Sequence, residues 1–515
     1  MTPPSVVLVN PRICSVRSAR LPLSLLSLAA PLRERARPRL VDGNLDPDAL
    51  ANVLRLVEEE RPALVGLTVM PGPQVGPAIA VSRAVKERFP HVPVVWGGYF
   101  PTLYPASAIN APYVDVVVRG AGEETLRELL DRLASAGAPT PVSSAADPEA
   151  LRGLAGITWK DRGAVVHEAE RGFRPPDDFP PYPYDLLGDP RRFLQPTYLG
   201  RRTAVHQAAI GCRYRCSFCG VVSMFDGKTL LSSEGRLAAA VKGLRDGLGA
   251  DAVQFYDHNF FDREETSVPL LEALGTVALP YWCYARPDTL AGFSARTWEL
   301  VKRSGLRMAF LGAEAASDEA LRRMHKGAKV DHTLETARRC REAGIVPEFS
   351  FVLGGPDDPE GEIERTLSFV RTLKGIHPEC EVILYFYTPT PRRTPRERAS
   401  EGPLTMPALP TGSGERELDL PTTPEEWTEP QWVDFVCHRE APWLPERTRR
   451  RIADFAAVLA CRFPTVQETR TPRWAKALLK GAATWRWATR TYSRPYELAF
   501  LRRLVPLKAP EREGL

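Results

Sequence analysis

No uninterrupted apolar run of about 18 residues occurs in the chain, so the sequence predicts no membrane span. Charge of one sign is also in short supply. The 68 Lys and Arg against 63 Asp and Glu leave a formal net charge of +5 over 515 residues, too little to predict a nucleic-acid partner. The opening residues lack a basic region and a small-residue cleavage site. Met1-Thr-Pro-Pro-Ser-Val-Val-Leu-Val-Asn runs directly into a strand-like segment, so no signal peptide is expected. Nine cysteines, an odd number in a long chain, do not read as a disulfide framework, and a reducing cytoplasm is the expected compartment. No internal repeat of about 20–50 residues stands out. The 49 prolines are spread along the chain rather than gathered into one disordered tract.

What is present is the composition of an ordinary globular protein, 43% hydrophobic and 25% charged, with length for about three domains. Residues 5–135 alternate short β-branched runs with helical stretches. Val6–Val9, Arg39–Val41, Leu64–Val69, Val92–Trp96 and Val114–Val118 have the doubly buried character of parallel strands. Leu21–Arg35, Asp48–Glu60, Gly76–Phe89 and Glu123–Ala134 carry helical spacing. That alternation predicts a doubly wound α/β sheet over residues 1–140, whose ligand lies beyond the carboxyl ends of the strands. Those ends hold Asn10-Pro11, Asp42-Gly43, Thr68–Gly72, Gly97-Gly98 and Gly120–Gly122.

Residues 141–200 read as a linker containing a small hairpin, Ile157–Lys160 with Ala164–His167. A second βα series fills 201–395. Its strands are expected at Thr203–Ile210, Ala252–Tyr256, Tyr281–Ala285, Met308–Gly312, Glu348–Leu353 and Val382–Tyr387. Six units are too few for a closed eight-stranded barrel, so a partial six-stranded barrel is expected. Residues 395–425 read as a loop, and 396–515 as a helical carboxy-terminal region.

The chemistry concentrates at Gly211-Cys-Arg-Tyr-Arg-Cys-Ser-Phe-Cys-Gly220. Cys212, Cys216 and Cys219 stand at spacing C-x3-C-x2-C just after a predicted strand. Thiolates at this density select zinc, copper(I) or an iron–sulfur cluster. A structural zinc site would want a fourth ligand at similarly short spacing, and none is nearby, so a zinc knuckle would have to borrow a remote one. Three thiolates leave one iron of a cubane open to a small molecule.

This triad, with the aromatic Phe218 before its third cysteine, resembles the radical S-adenosylmethionine (SAM) superfamily. The resemblance implies a [4Fe-4S] cluster on Cys212, Cys216 and Cys219 whose open iron binds the methionine moiety. Electron transfer from the cluster, fed by a donor such as flavodoxin or ferredoxin, then yields a 5′-deoxyadenosyl radical. It also implies cofactor contacts at strand ends. Asp257 in Phe255-Tyr-Asp-His would meet the SAM amino group, and Arg286 in Tyr284-Ala-Arg-Pro-Asp would contact a carboxylate or the substrate. Glu314 in Phe310-Leu-Gly-Ala-Glu would bond the ribose, and Gly354 and Gly355 in Phe351-Val-Leu-Gly-Gly-Pro356 would flank adenine. Arg213 stands where the family more often has Pro, and Ala315-Ala316 where it has Ser-Gly. Read without the family, Asp257, Arg286 and Glu314 are strand-end polar residues that could cap the next helix.

A doubly wound domain ahead of such a barrel resembles the cobalamin-binding branch of that superfamily. The carrying segments are Leu8–Pro11, Pro22–Ala29, Leu67–Met70, Trp96–Thr102 and Val118–Thr125. Cobalamin contacts are implied at Thr68, Val69, Gly97, Gly98 and Gly120, where glycines admit close approach of a large flat ligand or its nucleotide tail. The same glycines could merely close tight βα turns. Residues 10–22 contain no histidine, so that loop offers no imidazole to cobalt. Its Cys14 reads as an unliganded small hydrophobe. The resemblance implies methyl transfer to an unactivated carbon of a small molecule or lipid-like intermediate. The alternatives are a radical oxidoreductase, cyclase or rearrangement enzyme of the same branch, or a non-catalytic cobalamin- or metal-binding regulator.

Residues 470–515 hold 11 Lys/Arg against 3 Asp/Glu, with Trp474, Trp485, Trp487 and Tyr492 interleaved. Such a segment can lie on a membrane surface, cover an active site, or pack with its arginines solvated. In the resembled branch it closes the barrel mouth. Cys437 and Cys461 lack ligand spacing and read as structural.

Overall fold

The computed structural model describes residues 3–135, 148–355, 358–391, 409–411, 414–416, 419–439, 441, 443–468, 471–505 and 507. Ala136–Pro141, most of the expected loop at 395–425, Pro356 and the end of the basic tail lie outside the described residues.

The first sheet is built from β1 (Ser5–Asn10), β2 (Arg37–Asp42), β3 (Val65–Thr68), β4 (Val94–Gly97) and β5 (Val116–Val118), all parallel in the order 2-1-3-4-5. Helices on both faces explain why its strands are apolar on both sides: Val6, Val7, Leu8 and Val9 are all buried. Val53 and Val57 of helix Ala49–Glu60 cover one face, and Leu126, Leu129 and Leu130 of helix Gly122–Ser135 cover the other. The hairpin expected inside a linker instead completes this sheet. Its strands β6 (Ile157–Asp161) and β7 (Ala164–His167) add antiparallel to β5, with Ile157 and Trp159 buried in the first core.

The expected strand Thr203–Ile210 is two strands. β8 (Thr203–His206) enters the second sheet, the chain bends at Gln207-Ala208, and β9 (Ala209–Gly211) pairs antiparallel with β10 (Thr229–Leu231). The six-stranded parallel sheet then runs β8, β11 (Ala252–Phe255), β12 (Tyr281–Ala285), β13 (Leu306–Glu314), β14 (Val346–Leu353) and β15 (Glu381–Phe386). Its crossover helices begin and end on ordinary signals. Ser233, Ser294 and Ser317 accept a hydrogen bond from the third residue after them, and Gly249, Gly305 and Gly344 close helices in the left-handed conformation. The outer faces of the strands and these helices share one core, except helix Asp318–Arg323, whose Ala320 and Leu321 form a small cluster with Ala315.

The carboxy-terminal region divides its work. Trp427 is buried in the first domain, 4.3 Å from Tyr104 and 5.8 Å from Phe100. Trp443 donates to the Gly354 carbonyl at 3.0 Å, so this stretch meets the end of β14. Helix Glu446–Arg462 continues on the barrel's outside, where Ile452, Phe455 and Leu459 join its core. Among the described residues of this region, the stretch near 427–444 lies at the carboxyl ends of the strands, whereas helix Glu446–Arg462 packs outside the barrel. Cys437 and Cys461 are buried in apolar surroundings, as expected.

Candidate functional site

The carboxyl ends of the first sheet open onto a cavity of about 240 Å3. Thr68, Gly97, Gly98 and Gly120 line it, helix Leu23–Leu32 forms one wall, and Phe173 from the connecting segment with Gln207, Ile210 and Phe225 from the second domain close it. Its bareness has a backbone cause. Gly98 has φ +97, and a Cβ there would stand 3.0 Å from both Thr68 Oγ1 and the Val69 nitrogen. The Val69 amide donates to Gly97 and its carbonyl accepts from Phe100. Val69 is therefore buried behind the wall and does not line the cavity as the sequence implied. Lateral to the cavity, Gln74 donates to Asn10 and Pro11 and accepts from the Met70 amide, fixing the histidine-free loop. The Cys14 amide donates to Asn44.

The cysteine loop follows β9. Cys216 is buried and Cys212 and Cys219 are half-buried. Cys216 adds to the upward push that burial exerts on both Cys212 and Cys219. Burial, then Cys216, pushes Cys219 up to about 12, and burial likewise raises Cys212. Among the described residues no three ligating groups are already gathered around a single-ion position. A structural zinc takes four ligands, and this loop brings three thiols, a donor set that fits a cluster with one open iron.

Two cations face this loop. Arg286 stacks 3.5 Å above the Tyr214 ring, reaches Cys216 Sγ at 3.5 Å and forms a two-pronged pair with Asp288, both contacts at 3.0 Å. Burial opposes its charge, but Asp288 outweighs that and holds the guanidinium protonated. Arg213, in the place of the commoner Pro, pairs with Asp262 at 2.8 Å and packs on the other contact of Tyr214, at 4.3 Å. Lys326, which nothing in the sequence pattern singled out, is buried 2.9 Å from Glu314 and 6.0 Å from the centre of the half-buried Phe218 ring. Glu314 itself sits at φ +65, rare for a side-chain-bearing residue, and Ser350 donates to it at 3.4 Å. Arg286, Glu314 and Phe218 are thus brought together around the loop, with Lys326 and Asp288 as the residues sequence reasoning missed.

Asp257 has a different setting. Its Oδ1 accepts the Ala208 amide at 2.7 Å and the Ala209 amide, which holds the bend between β8 and β9. Its Oδ2 is buried without a hydrogen-bond partner. Burial outweighs the backbone donors and lifts its pKa to about 7. Stability drawn from the retained proton is complete below the unfolded value of 3.8 and is lost as pH rises to about 7. The Asp257→Asn protein should therefore lose less stability than wild type as pH rises through that window, read from urea midpoints. An unchanged slope would show that Asp257 is charged in the folded protein at acid pH. Gly354, expected beside adenine, has φ +76 and is packed by Leu444, whose Cδ1 would lie 2.7 Å from an added Cβ. Gly355 has open space around its Cα.

Cavity and cysteine loop adjoin. Cys219 is followed at once by helix Gly220–Phe225, whose last residue, Phe225, lines the cavity. On the other side Tyr99, next to Gly98, presses its hydroxyl against Gly220, and Cys219 helps raise its pKa, after burial. One short helix and one tyrosine separate the two.

The B12 binding domain family matches residues 13–130, and the Radical SAM superfamily matches residues 208–370. The chain is a cobalamin-binding radical SAM protein. Among curated relatives, an uncharacterized methyltransferase of Pyrococcus horikoshii is 25% identical over 354 residues, 68% of this chain and 73% of its own. The anaerobic magnesium-protoporphyrin IX monomethyl ester cyclase of Synechocystis sp. is 22% identical over 378 residues, 72% of this chain and 71% of its own. Two solved structures share the fold of this radical SAM enzyme. TsrM from Kitasatospora setae, a radical SAM methyltransferase with cobalamin and a [4Fe-4S] cluster bound, has TM-score 0.62 and 17% identity over 98% of this chain and 100% of its own. The cobalamin-dependent radical SAM enzyme OxsB, with aqua-cobalamin and SAM bound, has TM-score 0.60 and 18% identity. That match covers 71% of this chain, which spans only about half of OxsB, 52% of it.

Proposed function

We propose that this protein is a cobalamin-dependent radical SAM methyltransferase acting on an unactivated carbon of a small, largely apolar molecule. The observation that carries the reading is the direct abutment of the glycine-floored cavity and the cysteine loop across helix Gly220–Phe225. A corrinoid in the first and a cluster at the second would supply, between them, a methyl group and a substrate radical. The alignment with the P. horikoshii methyltransferase over two thirds of the chain supports the same reading.

In this assignment Cys212, Cys216 and Cys219 would hold three irons of the cluster, which would supply the electron for SAM cleavage once reduced by a flavodoxin- or ferredoxin-type donor. Arg286 and Lys326 offset the negative charge of the thiolates. Glu314 and the partnerless Oδ2 of Asp257 would meet the polar groups of SAM, while Phe218 and Gly355 would flank it. Thr68, Gly97, Gly98 and Gly120 let the corrinoid approach the backbone, and Val69 supports that wall from behind. The domain limits follow the same assignment, except that the hairpin belongs with the first domain. Substrate would face the aromatic wall of the barrel, where Trp282, Tyr284 and Phe310 meet edge to face at 4.5 and 5.1 Å.

The test is anaerobic turnover of reconstituted enzyme with SAM and reductant. S-adenosylhomocysteine and 5′-deoxyadenosine should accumulate together. 5′-Deoxyadenosine alone would sink methyl transfer and favour a cyclase or rearrangement, in line with the Synechocystis relative.

A further inference from the structure

The last three helices pack as a small bundle. Glu446–Arg462, Arg473–Thr489 and Tyr496–Leu504 enclose Val458, Cys461, Leu479, Ala483 and Leu498. The inner faces of the second and third helices are accounted for by that core. Their outer faces are not polar. Helix Arg473–Thr489 presents Trp474, Leu478 and Trp485 at steps of four and seven, one stripe by helical geometry, and helix Tyr496–Leu504 presents Tyr496, Phe500 and Leu504 at steps of four. Trp474 is 70% exposed, Trp485 50%, Tyr496 71% and Phe500 62%. Among the described residues, these six are the majority of the ten exposed large hydrophobics, and they fall within 31 consecutive positions. Scattered single hydrophobes need no explanation; a concentration of this kind marks an interaction surface.

Charge says what covers it. Residues 471–505 hold eight Lys and Arg and one acid, Glu497, a net +7 against +5 for the whole chain, so everything outside this segment sums to −2. Arg473, Lys480, Arg490, Arg494 and Arg503 are exposed, while the acid is paired with the buried Arg486. Trp and Tyr on an apolar face edged by Lys and Arg suit the boundary between anionic headgroups and acyl chains. The bundle is also held in place rather than free to fold its apolar faces inward. Arg371 of the barrel helix Pro359–Ile376 donates to Tyr492 Oη at 2.7 Å and lies 4.7 Å over Trp487, and Arg451 pairs with Glu364 at 2.6 Å. No helix of the described residues is long and apolar enough to cross a membrane, so contact would be with one leaflet.

We propose that the outer faces of helices Arg473–Thr489 and Tyr496–Leu504 dock the protein on an anionic lipid surface. This does not depend on the reaction the enzyme performs. The full-length protein is to be sedimented with vesicles of phosphatidylcholine, with and without phosphatidylglycerol, at low and high salt. Binding should require phosphatidylglycerol and weaken with salt. A Trp474→Ser, Trp485→Ser, Phe500→Ser triple variant and, separately, a Lys480→Glu, Arg503→Glu double variant should each bind roughly tenfold or more weakly, with circular dichroism and iron content unchanged. Because all five side chains are exposed, these changes spare the core. Absence of vesicle binding by the wild-type protein, or binding that neither variant reduces, overturns the proposal. So does a concentration-dependent dimer that the triple variant abolishes while vesicle binding is absent, which would make the face a contact between copies of this chain.

Discussion

The Cys216→Ala protein is expected to purify folded, with little bound iron, and to form 5′-deoxyadenosine at least about a thousandfold more slowly than wild type, roughly 4 kcal/mol of barrier. Two thiolates cannot hold a site-differentiated cubane in place, and without the cluster no electron reaches the sulfonium. The fold should tolerate the change. Cys216 is buried, but it loses only a sulfur, a small cavity costing about 1 kcal/mol, and Arg286 keeps its Asp288 and Tyr214 contacts. The matched control is Cys283→Ala. Cys283 is equally buried, on β12 in the barrel's outer core, and its loss should leave iron content and SAM cleavage near wild type. Iron and SAM cleavage that survive in Cys216→Ala, or that are lost equally in Cys283→Ala, would remove the cluster assignment.

A second large effect is expected from Gly97→Leu. Gly97 ends strand β4 and lines the cavity, and an added Cβ would meet nothing nearer than Val118 Cβ at 3.8 Å. A leucine there should extend into the space without straining the backbone. Filling much of a cavity of about 240 Å3 should weaken corrinoid binding about a hundredfold or more, seen as loss of corrinoid absorbance after desalting. The thermal midpoint should move by only a few degrees. Gly98→Ala makes the contrasting case. At φ +97, with Val69 nitrogen 3.0 Å from the new methyl, its cost of about 1–3 kcal/mol falls on folding. Undiminished corrinoid in Gly97→Leu would place cobalamin elsewhere, whatever the fate of the cluster.

These two sites were readable in sequence for a local reason. The triad is a spacing of three rare soft ligands, and the cavity is floored by glycines where β-branched runs end, so both signals sit within a few residues. What escaped had no local signature. Lys326 follows a short helix with no motif spacing around it, and only the fold places it against Glu314 and Phe218. Tyr99 reads as a residue after a glycine turn until Gly220 is brought against it. The run Thr203–Ile210 looked continuous because its two halves are both apolar; the carboxylate that bends it, Asp257, comes 49 residues after Ala208. The hairpin read as a linker because antiparallel pairing to β5 depends on a partner about 40 residues away. Asp257 follows strand β11, where the sequence put it, and its Oδ1 is taken up by the backbone of the bend.

The burial of Trp427 against Phe100 and Tyr104 has a consequence for how the molecule is made. On the ribosome the first domain's last strand, ending at His167, emerges some 260 residues before the indole that finishes its core. During that interval Phe100 and Tyr104 present an aromatic surface to water, and Ser107 and Tyr113 wait for Pro421 and Glu425. Synthesis of the first sheet and completion of its core are therefore separated in time, and in that interval the aromatic surface is open to chaperones.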